Sequence, residues 1–476
     1  MTTEQQLPEG WKKTTLGAEF EWSSGGTPKS GVPAYYENGS IHWLNISDLN
    51  DGLISYAEKK ITELGLQESS AKIVPQGSVL IAIYGSIGKL GINTIPLATN
   101  QAICFTKKIP EYILNKFLFY YLLSIRNQLI SMGKGGTQQN ISQTVLKSVP
   151  FFYPTSKETQ QAIVNKIESL FDEIDEGIGR LKTAAQQIQQ YRQSLLKNAF
   201  NGELTKEWRS KHADTLLSEN ELLTQIQTTR DQHYAQQLAD WQTAVSQWEQ
   251  NGKEGKKPSK PKAPTQAVKF EDNFADLPSG WIWGKLSDLG ELARGKSKHR
   301  PRNDKKLFGG KYPFIQTGEV RAANRIIKKY EQTYSEFGLE QSKLWQKGTL
   351  CITIAANIAE TAFLGFDACF PDSIVGFSAS KVVLPEYIEL FIKSARTKIE
   401  SYAPATAQKN INLNTLENLI VPYCSLTEQT QIVAILESKL TACDQLAAEL
   451  AKQLKQAELL KQAVLKAAFS GSLLDK

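Results

Sequence analysis

The chain repeats itself, and this internal repeat limits the possible folds more than any other feature of the sequence. Leu7-Pro8-Glu9-Gly10-Trp11 recurs as Leu277-Pro278-Ser279-Gly280-Trp281, an offset of 270 residues (281 minus 11) that holds within a few residues along both copies. The closest match joins residues 195–204 (LLKNAFNGEL) to residues 464–473 (VLKAAFSGSL). Because a repeat of this length covers nearly the whole chain, it predicts two equivalent structural units.

Each copy is predicted to contain a globular part followed by one long helix. Short apolar runs at 78–84 and 349–355 are typical of strands, and amphipathic segments at 112–130 and 387–401 are typical of helices. These patterns predict an α+β fold with two mixed α/β globular domains. The predicted boundaries are 1–155 for the first domain, 156–205 for its helix, 206–275 for an insertion, 276–424 for the second domain and 425–476 for its helix.

Both long helices carry apolar residues at steps of four and three, which is the pattern of a coiled-coil seam. At about 1.5 Å per residue, roughly 40 helical residues form a rod of about 60 Å. If the helices pair antiparallel, the chain gains an internal pseudo-twofold repeat, and Leu473 lies near Leu7. The predicted seam positions are Ile163, Ile167, Leu170, Ile174, Ile178, Leu181, Ala185, Ile188, Tyr191 and Leu195, followed by Ile432, Leu436, Leu440, Cys443, Ala447, Leu450, Leu454 and Ala457.

The insertion divides into a helical segment and a segment rich in Lys and Pro. Residues 219–249 have helical apolar spacing and many glutamines, whereas residues 251–264 are expected not to pack. Lysines in the second segment could contact phosphate, but such a run is more often a solvated linker, and we predict a linker. They are Lys253, Lys256, Lys257, Lys260 and Lys262.

Composition excludes several classes of protein. There are 55 Lys plus Arg against 49 Asp plus Glu, a net charge of +6, which permits binding of a polyanion without requiring it. The five cysteines lie far apart in sequence, so buried, reduced thiols are expected rather than disulfides or a zinc site. Four scattered histidines give no metal or catalytic pattern. The polar N-terminus and the lack of a run of apolar residues long enough to span a bilayer predict a soluble, cytoplasmic protein without a membrane partner.

One motif suggests an enzyme. Residues 290–297 (GELARGKS) match the phosphate-loop pattern G-x-x-x-x-G-K-[ST], in which Lys296 would bind nucleotide phosphates. That loop requires a buried strand before it and a helix after it, but residues 283–289 are mostly polar and Pro301 interrupts the charged segment that follows. We therefore expect a shared turn here, and neither a catalytic residue nor a cofactor or metal ligand in this chain. A nucleotide hydrolase using Lys296 stays as an alternative.

Polar and basic loops in each globular part have the residue types that contact DNA. Arg reads guanine, Asn and Gln read adenine, and Lys, Ser, Thr and backbone N–H groups bind phosphate. In the first copy the candidates are Thr27, Pro28, Lys29, Asn45, Ser47, Lys134, Gly135, Gly136, Thr137 and Gln138. In the second copy they are Arg294, Lys296, Lys298, Arg300, Arg302, Gln316, Thr317, Arg321, Arg325, Gln408 and Lys409.

Some shared residues also have a structural interpretation. Asn140 and Asn410 could cap the helices that follow them, with Gln138 and Gln408 bracing the same turns. Trp11 and Trp281 could stack on bases, but as repeat residues they are expected to pin the first strand of each domain instead.

These motifs together resemble the specificity subunit of type I restriction-modification systems, over essentially the whole chain. The resemblance is carried by the Leu-Pro-x-Gly-Trp openings, residues 24–28 (SGGTP), the Gln-x-Asn-Ile segments, Glu428-Gln429 and the Leu-Lys-x-Ala-Phe-x-Gly helix ends. The first copy departs from the pattern by reading Lys157-Glu158-Thr159, and the second copy by reading Arg294-Gly295-Lys296-Ser297.

The resemblance implies a non-catalytic subunit that recognises a bipartite, asymmetric sequence in double-stranded DNA, one half-site per recognition domain, across a spacer of fixed length. It also implies two adenine methyltransferase subunits as partners and, for cleavage, two restriction subunits. S-adenosylmethionine, ATP and Mg²⁺ would then be bound only by those partners. A coiled-coil adaptor that binds proteins alone is the remaining alternative.

Overall fold

The computed structural model describes residues 8–133, 139–255, 257–267, 276–403 and 410–474. They form two compact units, one of Met1–Ala185 with Ala448–Lys476 and one of Gln186–Ala447. The fold is α+β, with a mixed α/β globular part in each unit and two long helices, each of which contributes residues to both units.

The first globular part contains eleven short strands and five short helices within the described residues. The strands are β1 (Trp11–Thr15), β2 (Glu21–Ser24), β3 (Ile41–Leu44), β4 (Gly52–Ile54), β5 (Lys60–Ile61), β6 (Ile73–Val74), β7 (Val79–Ala82), β8 (Leu90–Asn93), β9 (Leu97–Thr99), β10 (Ile103–Lys108) and β11 (Pro150–Pro154). The helices are α1 (Leu16–Glu19), α2 (Glu63–Gln67), α3 (Asn115–Ser124), α4 (Arg126–Ser131) and α5 (Gln143–Ser148).

A five-stranded sheet in the order β2-β10-β7-β8-β4 is the centre of this part. All four residues of β7 are buried, which explains why the sequence there is an unbroken apolar run rather than an alternating one. Strand β1 pairs with β11, and a second sheet has the order β5-β3-β9-β6. The strand expected within 78–84 is confirmed as β7, and the helical segment expected within 112–130 is present as two helices, α3 and α4.

The second globular part repeats this plan. Its five-stranded sheet has the order β13-β19-β17-β18-β15, strand for strand the counterpart of the first, and β12 pairs with β20 as β1 does with β11. The strands are β12 (Trp281–Lys285), β13 (Gly290–Arg294), β14 (Phe308–Phe314), β15 (Ile326–Ile327), β16 (Gln332–Tyr334), β17 (Leu350–Thr353), β18 (Thr361–Leu364), β19 (Ile374–Ala379) and β20 (Ile420–Cys424).

The helices of the two copies correspond with two differences: the second copy has an α-helix in place of the 3-10 helix Ile46–Asp48, and a single helix in place of α3 and α4. The helices of the second part are α9 (Leu286–Leu289), α10 (Thr317–Ala322), α11 (Glu336–Glu340), α12 (Pro385–Ser401) and α13 (Leu413–Glu417). Single-turn 3-10 helices are found at Pro33–Tyr35, Ile46–Asp48, Ala213–Thr215 and Lys305–Leu307. The internal repeat in the sequence is thus a repeat of the fold.

The two long helices are Lys157–Phe200 and Leu426–Ser470. Between them lie α7 (Lys206–Lys211) and α8 (Glu219–Gln250), so the long helices are α6 and α14. Within the first unit, the Lys461 ammonium lies 2.5 Å from the Asp175 carboxylate, and within the second, Arg192 pairs with Asp444. The two long helices therefore contact each other within each unit. The predicted seam is buried or half-buried at every position except Tyr191, which is exposed because it lies off the contact line.

The end of each long helix packs against the globular part of the other copy. Phe200 lies 5.2 Å from Tyr387 and 5.3 Å from Phe391 (ring centroids), and Phe469 lies 5.3 Å from Phe117. Burial of an aromatic side chain contributes about 2 kcal/mol or more. The repeated Leu-Lys-x-Ala-Phe segment is therefore a packing motif.

The glycine of the same motif touches the proline that opens a copy. A Cβ added at Gly202 would lie 2.2 Å from Pro278 Cγ, and one added at Gly471 would lie 2.1 Å from Pro8 Cγ. Both glycines also have a positive φ, which favours glycine. Leu7 lies outside the described residues, but Pro8 beside Gly471 agrees with the expected meeting of the two chain ends.

Structural alignment of the two helix starts corrects the apparent departure at residues 157–159. Gln160 is the counterpart of Gln429, because each side chain accepts from the backbone N–H of a leucine at 2.9 Å and donates to two backbone carbonyls. The residue that precedes this glutamine differs between the two copies. Glu428 is fully buried and accepts from Trp281 Nε1 at 2.9 Å and from Arg209 at 2.5 Å, whereas the first copy has Thr159.

The prediction that the Lys and Pro segment cannot pack is wrong for the residues that the structure describes. The helix expected over 219–249 is present as α8, and the segment after it returns along that helix. Trp248 Nε1 donates to the Gly255 carbonyl at 3.3 Å, and Trp241 Nε1 donates to the Pro258 carbonyl at 3.1 Å. Apolar rings on α8 therefore give the segment a surface to cover.

The remaining expectations concern cysteines, metals and membranes. All five cysteines are buried and free, and burial raises the pKa of the Cys104, Cys351 and Cys369 thiols. Among the described residues, no three His, Cys, Asp or Glu side chains are grouped as metal ligands would be. None of the described helices combines the length and apolar character that crossing a bilayer requires.

Candidate nucleic-acid interface

Three chain segments meet at one edge of the first five-stranded sheet. Strand β10 runs antiparallel to β2 and to β7, so the residues after β2, before β10 and after β7 all lie at the same edge. Glycines let the first two segments cross closely, since a Cβ at Gly25 would lie 2.1 Å from the Thr99 carbonyl oxygen. Of the first copy's predicted residues, Thr27 lies directly at this edge.

Amide and hydroxyl groups cluster here. The Thr27 hydroxyl donates to the Gln101 amide oxygen, and the Asn100 amide nitrogen lies 3.4 Å from the Asn45 amide oxygen, to which it donates. Asn45 begins a tight turn in which its backbone N–H donates to the Asp48 carboxylate at 2.7 Å. The structure therefore brings Thr27 and Asn45 together through the two residues that precede β10.

The other candidates of the first copy have different surroundings. Lys29 and Ser47 are exposed next to this cluster in sequence, whereas Pro28 is buried and its carbonyl accepts from the Tyr36 hydroxyl at 2.5 Å. Asn140 forms a bridge with Tyr84, just after β7. Lys134, Gly135, Gly136, Thr137 and Gln138 lie outside the described residues.

The corresponding edge of the second sheet is basic. Arg294 donates twice to the Asp372 carbonyl, at 2.9 and 2.6 Å, and Arg302 donates to both carboxylate oxygens of Asp372, at 3.1 and 3.0 Å. Gly295 occupies the place of Gly25, because a Cβ there would lie 2.2 Å from the Phe370 carbonyl oxygen. The two arginines are thus held around the segment that precedes β19.

The loop between these arginines is fixed by its backbone and leaves its charges exposed. The Ser342 hydroxyl donates to the Lys296 carbonyl at 2.8 Å, and the Lys298 N–H donates to the Gln341 carbonyl at 3.2 Å. Within the described ranges, the ammonium groups of Lys296 and Lys298 form no ion pair. Arg300 is exposed too and donates to two carbonyls of its own loop. Together with Arg302, this loop therefore has four exposed cationic side chains, those of Lys296, Lys298, Arg300 and Arg302.

A nearby lysine adds to this cluster. Lys343 Nζ lies 3.9 Å from the centroid of the Trp345 ring, and burial lowers the pKa of Lys343. Trp345 in turn stacks on Phe370 at 4.8 Å, which ties this lysine to the segment before β19.

A second turn beside this edge repeats the one at Asn45. The Gln316 backbone N–H donates to the Glu319 carboxylate at 3.1 Å, and Ile315 pairs through its backbone with Cys369. The Gln316 side chain donates to the Gln332 amide oxygen at 3.2 Å. Thr317 and Arg321 belong to the short helix that Gln316 begins. Gln316 is therefore the structural counterpart of Asn45.

Arg325 lies elsewhere. Its guanidinium donates to the Glu389 carboxylate at 3.0 Å and to Glu437 of α14, and Glu389 is fully buried. Because its guanidinium pairs with both carboxylates, Arg325 stabilises the packing of α12 against α14. It is separate from the basic cluster. Gln408 and Lys409 lie outside the described residues.

The structure bears on three alternative interpretations, namely the helix caps, the tryptophans of the first strands and nucleotide binding. Asn140 and Asn410 do not cap the following helices, because Ser142 and Asn412 do so. Trp281 is 2% exposed and lies in a first strand, as expected of a residue that pins it. Residues 290–294 are strand β13 itself, and no α-helix follows within 295–304, so the nucleotide-binding alternative is not favoured.

Sequence reasoning missed Asn100, Gln101, Tyr84, Asp372 and Lys343. None of them belongs to a recognisable motif, because each is at the interface only through the pairing of β10 or β19 with its neighbours. A prediction of strand order would have been the one available signal.

The two edges share a scaffold and differ in chemistry. The first offers amides and a hydroxyl, which suit donor and acceptor patterns on base edges, and the second offers arginines and lysines, which suit guanine and phosphate. Each unit thus has its own set of polar side chains at the corresponding sheet edge.

The chain matches the model of a known protein family. The family model described as "Type I restriction modification DNA specificity domain" matches residues 8–182 and again residues 278–456. The two matched segments coincide with the two copies of the repeat and together cover more than half of the chain.

Curated relatives agree with this match. The specificity subunit of the Escherichia coli type I restriction enzyme EcoBI is 29% identical over 47% of this chain and 49% of its own length. The EcoKI specificity subunit of E. coli K12 is 23% identical over 98% of this chain and 90% of its own length. The chain thus spans about half the length of the first relative and most of the second.

Two solved structures share the fold. A chain from a study of complex assembly and conformational transition of the type I R-M system superposes with a TM-score of 0.71 and 17% identity, covering 98% of this chain and 100% of that one. The HsdS subunit from Thermoanaerobacter tengcongensis superposes with a TM-score of 0.56 and 16% identity, with 99% of each chain covered.

Proposed function

The chain belongs to the type I restriction modification DNA specificity domain family, and on this basis we propose that it is the DNA sequence-specificity subunit of a type I restriction-modification complex. In this role it recognises double-stranded DNA and has no catalytic centre of its own. Its target is bipartite and asymmetric, and each globular part recognises one half-site.

One observation carries the proposal: the same sheet edge occurs twice with unlike side chains. Thr27, Asn45 and Gln101 lie at the first edge, whereas Arg294 and Arg302 lie at the second. A symmetric target would call for like groups at both edges. Amides and arginines prefer different bases, so two unlike half-sites follow.

The proposed protein partners are inferred from the surface of the long helices and from membership of the family. We propose that two methyltransferase subunits bind to the chain and that restriction subunits join through them. Exposed apolar side chains on the long helices, namely Tyr191, Leu446, Leu459 and Leu460, offer area for such protein contacts. S-adenosylmethionine, ATP and Mg²⁺ bind to the partner subunits, and the complex acts on DNA in the cytoplasm.

A map of methylated adenine in the host genome tests the proposal. Cells that carry the chain and its methyltransferase partner should methylate one motif of two unlike parts separated by a constant gap. Cells that lack only this chain should lose methylation at that motif. Methylation that persists without the chain, or a motif with one continuous part, would contradict the proposal. Purified chain that hydrolyses ATP, with loss of activity in Lys296→Ala, would instead support the nucleotide hydrolase.

A further inference from the structure

The insertion between the two copies forms an arm on the second unit, made of α8 and the described residues 251–255 and 257–267. Its base is anchored in the core, where Leu222 and Ile226 are buried. Farther along α8, Arg230 lies 2.9 Å from the Asp288 carboxylate, and burial raises the pKa of Asp288. These contacts hold the first half of α8 on the unit.

The arm contacts the residues that lead into strand β13 in chain order. His233 and Gln237 contact Glu291 at 2.6 and 2.5 Å, so contacts advance along α8 as they advance from Asp288 into β13. From Glu291, β13 continues three residues to Arg294, about 10 Å. From Gln237, α8 continues 13 residues (250 minus 237), about 20 Å. Extended straight beyond these contacts, α8 would bring the tip about 10 Å past the level of Arg294, on the side of the candidate nucleic-acid interface.

The arm has a packed structure along its length. The returning segment is bonded to α8 at four levels, through Trp248, Trp241, Arg230 and Gln227. A flexible linker would need no such bonds, because its backbone would be satisfied by water. The returning segment is accordingly held at a defined place on α8.

Three exposed lysines are found at and near the tip. Lys253 lies in the terminal turn, Lys257 Nζ lies 5.8 Å from the Trp248 ring centroid, and Lys260 Nζ lies 5.9 Å from that of Trp241. The rings cover the lysine stems and leave the ammonium groups in solvent. Glu249 and Glu254 are also at the tip, but within the described ranges neither forms an ion pair with these lysines.

We infer that this tip binds the phosphate backbone of DNA outside the half-site read by the second unit. The inference rests on the proposed function, since it takes the basic edge as the place where DNA lies. A duplex seated on Arg294 and Arg302 would extend past this edge, where the tip stands. Lysine ammonium groups bind phosphate without reading sequence, so the arm adds affinity and leaves specificity to the sheet edge.

The test compares two triple variants of the full chain assembled with its partner subunits. In one, Lys253, Lys257 and Lys260 become Gln; in the matched control, they become Arg, which keeps the charge. The probe is a duplex carrying the motif found by methylation mapping, in a long form and in a form about 10 bp shorter on the side of the second half-site. Binding is measured over a range of salt concentrations.

The Gln variant should bind the long duplex with a salt slope that is less steep by about 2 to 3, with unchanged preference for the motif. The Arg variant should behave like the wild type. The wild type on the short duplex should behave like the Gln variant on the long one. An unchanged slope in the Gln variant, or equal binding of both duplexes by the wild type, would overturn the inference.

The outcomes also separate this inference from the proposed function. If the wild type shows no preference for the motif but the Gln variant still loses slope, the specificity role fails and the contact of the arm with DNA stands. If the preference is present and the Gln variant binds as the wild type does, the inference about the arm is refuted and the proposed function stands.

Discussion

Replacement of Phe200 by alanine tests the most unusual feature of the fold, the packing of each helix end against the other copy. The side chain is 7% exposed and lies within 5.3 Å of two aromatic rings, Tyr387 and Phe391 of α12 (ring centroids). Truncation of a buried phenylalanine costs about 3 to 5 kcal/mol, because apolar contacts are lost and a cavity remains. At about 1.4 kcal/mol per factor of ten, even 3 kcal/mol raises local opening by about a hundredfold.

Amide hydrogen exchange of the purified chain is the suitable assay. We expect the amides of α12 to exchange about a hundred times faster in Phe200→Ala, while those of α3 keep their wild-type rates. Phe200→Leu, which fills most of the volume, should cost less than about 1.5 kcal/mol and change the rates by about tenfold or less. Phe469→Ala should give the mirror result, with α3 affected and α12 unchanged. Faster exchange of α3 in Phe200→Ala, or unchanged exchange of α12, would refute the assignment of this helix end to the second core.

Three further predictions concern stability, binding and spacing. Glu428→Gln should destabilise the second unit by about 3 kcal/mol in urea unfolding, because it leaves the Arg209 guanidinium buried without its carboxylate; a loss below about 1 kcal/mol would contradict the importance of this pair. Arg302→Ala should weaken DNA binding by the assembled complex and alter the methylated motif in one half only, and an unchanged affinity and motif would remove this residue from the interface. Deletion of residues 178–184 together with 452–458 removes about 10 Å of helix from each seam, so the gap in the methylated motif should shrink by about three base pairs, and an unchanged gap would argue against a ruler.

The sequence predicted the features that local patterns encode. Apolar steps of four and three identified both long helices, and the unbroken apolar run at 79–82 identified a central strand. The shared opening and closing motifs identified the repeat, although their physical reason appears only in three dimensions. Phe200 is repeated because it packs on α12, which is nearly two hundred residues away in sequence.

Features that depend on distant pairing could not be predicted. Asn100 and Gln101 reach the candidate interface only because β10 lies between β2 and β7. The two carboxylates that pair with Arg325, those of Glu389 and Glu437, lie 64 and 112 residues farther along the chain, so no local pattern indicates these pairs. The composition of the Lys and Pro segment predicts a linker, because composition does not encode the packing of this segment on two tryptophans of α8.

Exchange of one domain tests the central claim, that each globular part reads its own half-site, more directly than any point substitution. Residues 1–154 would be replaced by the equivalent part of another family member of known target, and methylated adenine would be mapped in cells carrying the hybrid chain. We predict a motif with one half taken from the donor, the other half unchanged and the gap between them preserved. Alteration of both halves, or of neither, would contradict the account.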